Sequence, residues 1–174
     1  MSERKPEMLM GALLLVFVFL ISRHAGMMAA GQKVVAEDAK PVVVIDSGHG
    51  GNDPGKVGVD GSLEKDINLE IAKKHKAYLE ASDVKVVMTR VEDKGLYGEK
   101  DSHKKAADMK MRCELINETN PALVVSFHQN SYHEEEISGG QVFYYKDLEK
   151  GKRLAEIIQK RFDFVLGDKN KRLA

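Results

Sequence analysis

Short apolar runs alternate with longer amphipathic stretches along the chain beyond Pro41. Four runs rich in β-branched or aromatic residues are too short for helices and predict strands: 42–45, 85–89, 122–127 and 141–145. Strands separated by helical stretches are typical of parallel sheets. The pattern therefore predicts an α/β fold of three layers, in which a largely parallel sheet carries helices on both faces.

Three amphipathic stretches predict the helices. The first spans 64–80, and its apolar positions recur at helical spacing: Ile67, Ile71, Ala72, Tyr78 and Leu79. The second carries an apolar stripe of Met109, Cys113 and Ile116 and ends at an Asn-Pro pair, so we expect Cys113 in the core. The third carries a similar stripe: Leu154, Ile157, Ile158, Phe162 and Val165.

The N-terminal segment differs from the rest of the chain. Two basic residues precede an uncharged apolar run that begins at Met8 and ends at Ile21. The run is shorter than the roughly 20 residues of a membrane-spanning helix but suits a signal peptide. No clean cleavage site follows, so an uncleaved membrane anchor is the alternative. Both interpretations predict export, with residues 1–31 as signal or anchor, 32–41 as a linker and 42–174 as the folded domain.

Composition limits the classes of partner and metal site. The 174 residues suffice for one domain, and 27 basic residues balance 27 acidic ones, so no overall field attracts nucleic acid or an anionic membrane. Cys113 is the single cysteine, which excludes an intramolecular disulfide and a cysteine-based zinc cluster. A bound metal would need histidines and carboxylates.

Suitable side chains follow two of the predicted strands. His49 comes just after the first strand and His128 just after the third, while Glu64 begins the helix that follows the glycine-rich loop. Ligands of open α/β sheets bind at the carboxyl edge of the strands, so we expect these three groups to converge there. Two imidazoles and a carboxylate form a catalytic zinc set that leaves one position open. Asp46 is available to orient an imidazole.

Each of these residues also has a simpler interpretation. A glycine-rich loop such as 47–61 is more often a tight turn or a phosphate cradle, although no Lys-Ser/Thr pair follows the glycines here. A glutamate at a helix start commonly serves the helix dipole. A hydrolase without metal would need a nucleophile elbow such as G-x-S-x-G, which the sequence lacks. Only the joint placement of the three groups favours a metal site.

The other histidines and acidic residues have no comparable placement. Three histidines follow no predicted strand end and are weak ligand candidates, His133 being the least weak: His75, His103 and His133. The three glutamates at 134–136 precede a Ser-Gly-Gly turn, which predicts a solvated loop.

The chain contains, in this order, the segments IDSGHGGNDPG, GSLEKDINL, TRVED and VVSFHQNS. Together they resemble the zinc-dependent N-acetylmuramoyl-L-alanine amidases, which cleave the bond between N-acetylmuramic acid and L-alanine in peptidoglycan. The resemblance runs from about Val42 to the end. The segments HQNSYHEE and GGQVFYY are similar to the spore-cortex branch, which is involved in making muramic lactam.

The resemblance implies that His49, Glu64 and His128 bind Zn²⁺ and that the domain hydrolyses muramyl peptides of peptidoglycan. We expect the exported domain to be a monomer. It further implies an ion pair between Arg90 and Asp93. Ser47 stands where the family has proline, a change that we expect to be tolerated.

The family's general base is a glutamate on a further strand, which the resemblance places beyond Ala174. No catalytic residue is therefore assigned, and the domain is expected to be incomplete at its C-terminus. An inactive zinc-binding or peptidoglycan-binding fragment is the alternative function.

Overall fold

The computed structural model of the protein describes residues 40–131, 137–170 and 172. Its sheet has three parallel strands in the order β2-β1-β3: β1 (Val42–Ser47), β2 (Lys85–Met88) and β3 (Leu123–Phe127). Three helices accompany the sheet: α1 (Glu64–Ala81), α2 (Lys104–Thr119) and α3 (Glu149–Leu166). A 3₁₀ turn (Gly167–Lys169) follows α3. The predicted α/β fold with a parallel sheet is confirmed.

The two helices that connect the strands lie on opposite faces of the sheet. Val43 and Ile45 of β1 point to the face where Ala72 of α1 packs, whereas Asp46 points to the other face and pairs with Arg112 of α2. Because side chains alternate along a strand, these contacts assign the two faces. Crossovers between parallel strands are right-handed, so a chain that leaves β1 for β2 and returns past it to β3 places its helices on both sides.

The core is small and is centred on β1. Val44 and Ile45 are fully buried, because β1 is covered by strands at both edges and by helices on both faces. Partly buried apolar side chains surround this centre: Leu79, Val84, Val86, Met88, Leu123, Val125 and Phe127.

The predicted buried stripe of α1 is partly wrong. Ile67, Ile71 and Tyr78 are 39%, 36% and 77% exposed. The buried stripe instead includes Asn68 and Ala72, four residues apart, with Glu64 one turn before them. Ala72 was part of the predicted stripe, but the polar residues Glu64 and Asn68 were not, and they are buried because they face the carboxyl edge of the sheet.

The prediction for α2 is wrong by one position. Cys113 is exposed rather than in the core, and Met109 is 55% exposed. The buried residues are Asp108 and Arg112, which bond to each other through Arg112 Nε and Asp108 Oδ2 at 2.7 Å. A charged pair that satisfies its own hydrogen bonds can be buried, and apolar periodicity does not detect it.

The predicted fourth strand does not form within the described residues. Segment 141–145 pairs with no strand there, and Phe143 and Tyr145 are 71% and 72% exposed. The buried amide of Gln159 in α3 takes the backbone groups that a ladder would use: Val142 N donates to its Oε1, and its Nε2 donates to Gly140 O, both at 3.0 Å. These two backbone groups therefore bond to a side chain rather than to a neighbouring strand.

The third helix forms as predicted, but its apolar stripe is largely exposed. Ile157 and Val165 are 57% and 65% exposed, whereas Ala155 is buried.

The predicted N-terminal segments lie outside the described residues. These are the signal or anchor at 1–31 and residues 32–39 of the linker. Within the described part, none of the helices combines the length and apolar character needed to cross a bilayer.

Candidate metal centre

Three elements bring His49, Glu64 and His128 to one point at the carboxyl edge of the sheet. His49 lies two residues beyond β1, His128 directly follows β3, and Glu64 is the first residue of α1. His49 Nε2 and His128 Nδ1 each lie 3.1 Å from Glu64 Oε1. One ligand atom from each residue lies within 4.8 Å of the other two, so the structure places the three groups together.

Two of the three spacings among these atoms fit a tetrahedral ion. Zinc holds nitrogen and oxygen ligands at about 2.0–2.2 Å, which separates tetrahedral ligands by roughly 3.3 Å. The two distances of 3.1 Å to Glu64 Oε1 are close to that value. The group lines an open cavity of about 470 Å³, so the donor set suits zinc and leaves one side accessible.

Two glycines allow the ligands to approach each other. A Cβ on Gly48 would lie 2.3 Å from the His128 ring, and one on Gly55 would lie 2.7 Å from Glu64 Oε2. His49 itself has a φ of +62°, a left-handed conformation that is unusual outside glycine. The glycine-rich loop is therefore explained by close packing around the ligands.

The carboxylate that orients His49 is Asp53, and the prediction for Asp46 is wrong. His49 Nδ1 lies 3.0 Å from Asp53 Oδ2, which leaves Nε2 facing Glu64. Such a carboxylate partner fixes the tautomer of a metal-binding histidine. Asp46 instead accepts hydrogen bonds from Thr89 and Ser126. His49 and Asp53 lie in a loop, where a four-residue spacing does not predict contact as it does in a helix, so the sequence does not indicate this pair.

Hydrogen bonds keep both carboxylates ionised. Burial alone would raise the pKa of Asp53, but its hydrogen bonds with His49 and Gly55 N lower that pKa to about 2. Burial would likewise raise the pKa of Glu64, but donors that include Lys56 N and Gln129 N lower it to about 2. A metal ligand must be deprotonated, and Glu64 meets this condition without the ion. The sequence gives no indication that the backbone N of Gln129 donates a hydrogen bond to Glu64.

We expect the metal-free protein to lose stability in acid partly through Glu64. Its pKa is lowered from 4.5 to about 2 on folding, so the stabilisation is complete above about pH 4.5 and is lost as the pH falls towards 2. Between pH 6 and pH 3 the wild type should lose on the order of 2 kcal/mol more than Glu64→Gln. Urea unfolding of metal-free protein at both pH values measures this; equal losses would contradict the prediction.

The expected ion pair between Arg90 and Asp93 is wrong. Asp93 accepts from Lys65 Nζ at 2.6 Å and from Gly51 N at 2.8 Å. Arg90 instead donates to backbone carbonyls, among them Ser47 O at 3.0 Å. Each residue therefore stabilises the loop after β1 separately, Asp93 through Gly51 N and Arg90 through Ser47 O.

The remaining candidates lie away from the centre or outside the described residues. His75 packs edge-on against the Phe127 ring at 5.4 Å, and His103 is exposed beside the start of α2. His133 and the glutamates at 134–136 are outside the described part of the chain. Ser47 is fully buried, and its hydroxyl has no hydrogen-bond partner among the described residues.

Comparison with known proteins gives consistent matches. Residues 43–174 match the Amidase_3 family, described as N-acetylmuramoyl-L-alanine amidase. The chain is 38% identical over 121 residues to the germination-specific N-acetylmuramoyl-L-alanine amidase of Bacillus subtilis, covering 68% of this chain and 51% of that relative. It is 32% identical over 149 residues to the amidase LytC of the same organism, covering 82% of this chain and 28% of LytC. The chain thus spans about half the length of the first relative and less of the second.

A solved structure shares the fold. The CwlD amidase of Clostridioides difficile, determined in complex with the GerS lipoprotein, superposes with a TM-score of 0.72 at 36% sequence identity. The match covers 76% of this chain and 70% of that one.

Proposed function

The chain belongs to the N-acetylmuramoyl-L-alanine amidase family, and on this premise we propose that it hydrolyses the amide bond between N-acetylmuramic acid and L-alanine in peptidoglycan. The reaction consumes one water and yields a lactyl carboxylate and the free amine of the stem peptide. One observation carries the proposal: two imidazole nitrogens and a carboxylate oxygen surround one point on the wall of an open cavity.

We propose zinc as the cofactor, held by His49, Glu64 and His128. When bound, zinc supplies Lewis acidity that polarises the amide carbonyl and makes water a stronger nucleophile at neutral pH. The chain's own groups prepare the site: Asp53 holds the His49 ring, and backbone donors keep Glu64 ionised. Neutral polar side chains line the cavity and can bind the glycan peptide: Gln129, Asn130, Ser131 and Gln141.

The charge of the cavity supports an anionic substrate. Lys56 and Arg172 line it, and Glu64 is its one acidic lining residue among those described. Because Glu64 would be committed to the metal, Lys56 contributes a positive charge to the rest of the lining. The stem peptides of peptidoglycan carry free carboxylates, so their charge complements this lining.

Replacing Lys56 tests the charge complementarity. Lys56→Glu should weaken binding of a muramyl peptide to the zinc-loaded protein by about five- to tenfold, since a favourable charge contact becomes repulsive. Zinc affinity should not fall, because the backbone N of Lys56 still donates to Glu64 and an added negative charge beside the site attracts the cation. Calorimetry of peptide binding measures the effect. Lys100→Glu, on an exposed lysine outside the cavity lining, is the matched control, and equal affinities in the two variants would contradict the prediction.

The relatives and the N-terminal sequence support proposals about the substrate source, the partner and the location. A 38% identical relative is germination-specific, which supports the spore cortex as the source of the peptidoglycan. The structural neighbour was solved with a lipoprotein, so a lipoprotein partner is part of the proposal. The apolar run from Met8 to Ile21 would direct the domain out of the cytoplasm, as a cleaved signal or an anchor.

A second candidate is binding of zinc and peptidoglycan without hydrolysis. One observation favours it: among the described residues, no carboxylate other than Glu64 lines the cavity, so none stands ready as a general base. Loss of positioned proton transfer typically costs 10²- to 10⁴-fold in rate.

One assay separates the two candidates. The purified chain is incubated with spore-cortex peptidoglycan, with and without zinc, and newly exposed N-terminal L-alanine is measured. Zinc-dependent release supports the amidase. Zinc binding and peptidoglycan sedimentation without release support the binding protein, and protein that binds neither zinc nor peptidoglycan contradicts both candidates.

A further inference from the structure

Two buried arginines converge on the loop that carries His49. Arg112 lies in α2 and Arg90 follows β2, and their residues are 3% and 4% exposed. Three successive carbonyls, those of residues 47–49, accept hydrogen bonds from them. Ser47 O accepts from Arg90 Nε at 3.0 Å and from Arg112 Nη1 at 2.7 Å. Gly48 O accepts from Arg90 Nη2 at 3.1 Å.

The third carbonyl belongs to the proposed ligand itself. Arg112 Nη2 donates to His49 O at 2.6 Å. Because His49 has a φ of +62°, its peptide orientation is not one that the chain adopts readily by itself. The direction of the His49 Cα–Cβ bond depends on that backbone conformation. A bond that fixes the carbonyl therefore fixes the point from which the ring, held at Nδ1 by Asp53, extends towards the other ligands.

Charge compensation accounts for the burial of Arg112. Its guanidinium contacts Asp46 Oδ1 and Asp108 Oδ2, each at 2.7 Å. Burial alone would lower the pKa of Arg112, but these two carboxylates raise it. Arg90 has no such direct partner and donates only to backbone carbonyls, including Lys65 O at 2.7 Å and Glu92 O at 3.2 Å. Its planar fork reaches several carbonyls at once, which a lysine ammonium cannot do.

We propose that Arg112 and Arg90 are positioning residues that hold the 47–49 carbonyls and thereby aim the His49 imidazole at the metal. The inference rests on the proposed zinc site. Neither guanidinium touches substrate or ion; both act through the loop. Partners of this kind outside the ligand shell typically change metal affinity by 10- to 100-fold.

Zinc affinity of the full chain, measured by competition with a chromophoric chelator, tests the proposal. Arg90→Lys keeps the charge and leaves no carboxylate without its partner, and we expect it to bind zinc about tenfold more weakly. Arg112→Lys should bind up to about 100-fold more weakly, because Arg112 alone of the two contacts His49 O. Val43→Ala is the control, since Val43 is 6% exposed and lies at the start of β1, away from the loop. It should lose thermal stability without losing zinc affinity.

The outcomes are distinguishable. If the wild-type protein binds no zinc, the proposed metal site itself is wrong. A wild type that binds zinc, with wild-type affinity in both lysine variants, overturns the positioning role alone. If Arg112→Lys fails to fold, Arg90→Lys decides: a tenfold loss supports the role and wild-type affinity overturns it. An equal loss in Val43→Ala would show that affinity follows stability, which also overturns it.

Discussion

Replacing Glu64 with glutamine should weaken zinc binding by more than about 100-fold while the fold persists. Glu64 Oε1 is the atom on which the site converges, at 3.1 Å from a nitrogen of each histidine. Glutamine has nearly the same shape but carries no charge and is a far weaker zinc ligand. Loss of a direct ligand should exceed the 10- to 100-fold cost of losing a supporting partner.

Competition with a chromophoric chelator measures the loss, and circular dichroism checks the fold. Asp66→Asn, an exposed carboxylate in the first turn of the same helix, removes one negative charge nearby and should leave the affinity within about twofold. Zinc bound by Glu64→Gln as tightly as by the wild type would exclude this carboxylate as a ligand.

Truncating Ile45 to alanine should cost about 2–5 kcal/mol of unfolding free energy. Ile45 is fully buried in the central strand and packs in the cluster with Val43 and Ala72. Neighbouring strands on both sides limit the collapse of the cavity, so the cost should not be small. Domains of this size have total stabilities of about 5–15 kcal/mol, and the core here is small.

Urea unfolding of metal-free protein measures this cost. Val59→Ala serves as the control, because Val59 is fully exposed and such changes usually stay within about 0.5 kcal/mol. A loss below about 1 kcal/mol for Ile45→Ala would show that β1 is not the centre of the core.

Much of the site could be predicted because the strand ends and the helix start are visible in the sequence and the parallel sheet brings them together. The run 42–45 is continuously apolar, which marks a strand buried on both faces, and the helix after the loop begins at Glu64 as expected. Once β1 and β3 are parallel neighbours, the residues after their ends must meet at one edge. The proximity of His49 and His128 therefore follows from topology.

The features that were predicted wrongly depend on polar groups buried with their partners. The stripe of α2 is shifted by one residue because Asp108 and Arg112, rather than Met109 and Cys113, face the sheet. Their stabilisation comes from hydrogen bonds to residues distant in sequence, such as Asp46. Hydrophobic periodicity carries no information about such pairs.

Other errors arose from competition between side chains and backbone. Segment 141–145 has the composition of a strand, but Gln159 takes up the backbone groups of Val142 and Gly140. The assignment of Asp46 to an imidazole failed for a different reason: Asp46 points to the α2 face of the sheet and pairs with Arg112, whereas Asp53 lies on the same loop as His49. Residue propensities do not indicate which of two nearby groups a backbone amide or an imidazole will bond to.

A crystal structure of the zinc-loaded chain tests the central claim most directly. The predicted result is one zinc ion at about 2.0–2.2 Å from His49 Nε2, Glu64 Oε1 and His128 Nδ1, with a fourth position open to the cavity. A zinc ion bound elsewhere, or histidine rings turned away from Glu64 in the zinc-loaded protein, would contradict the account.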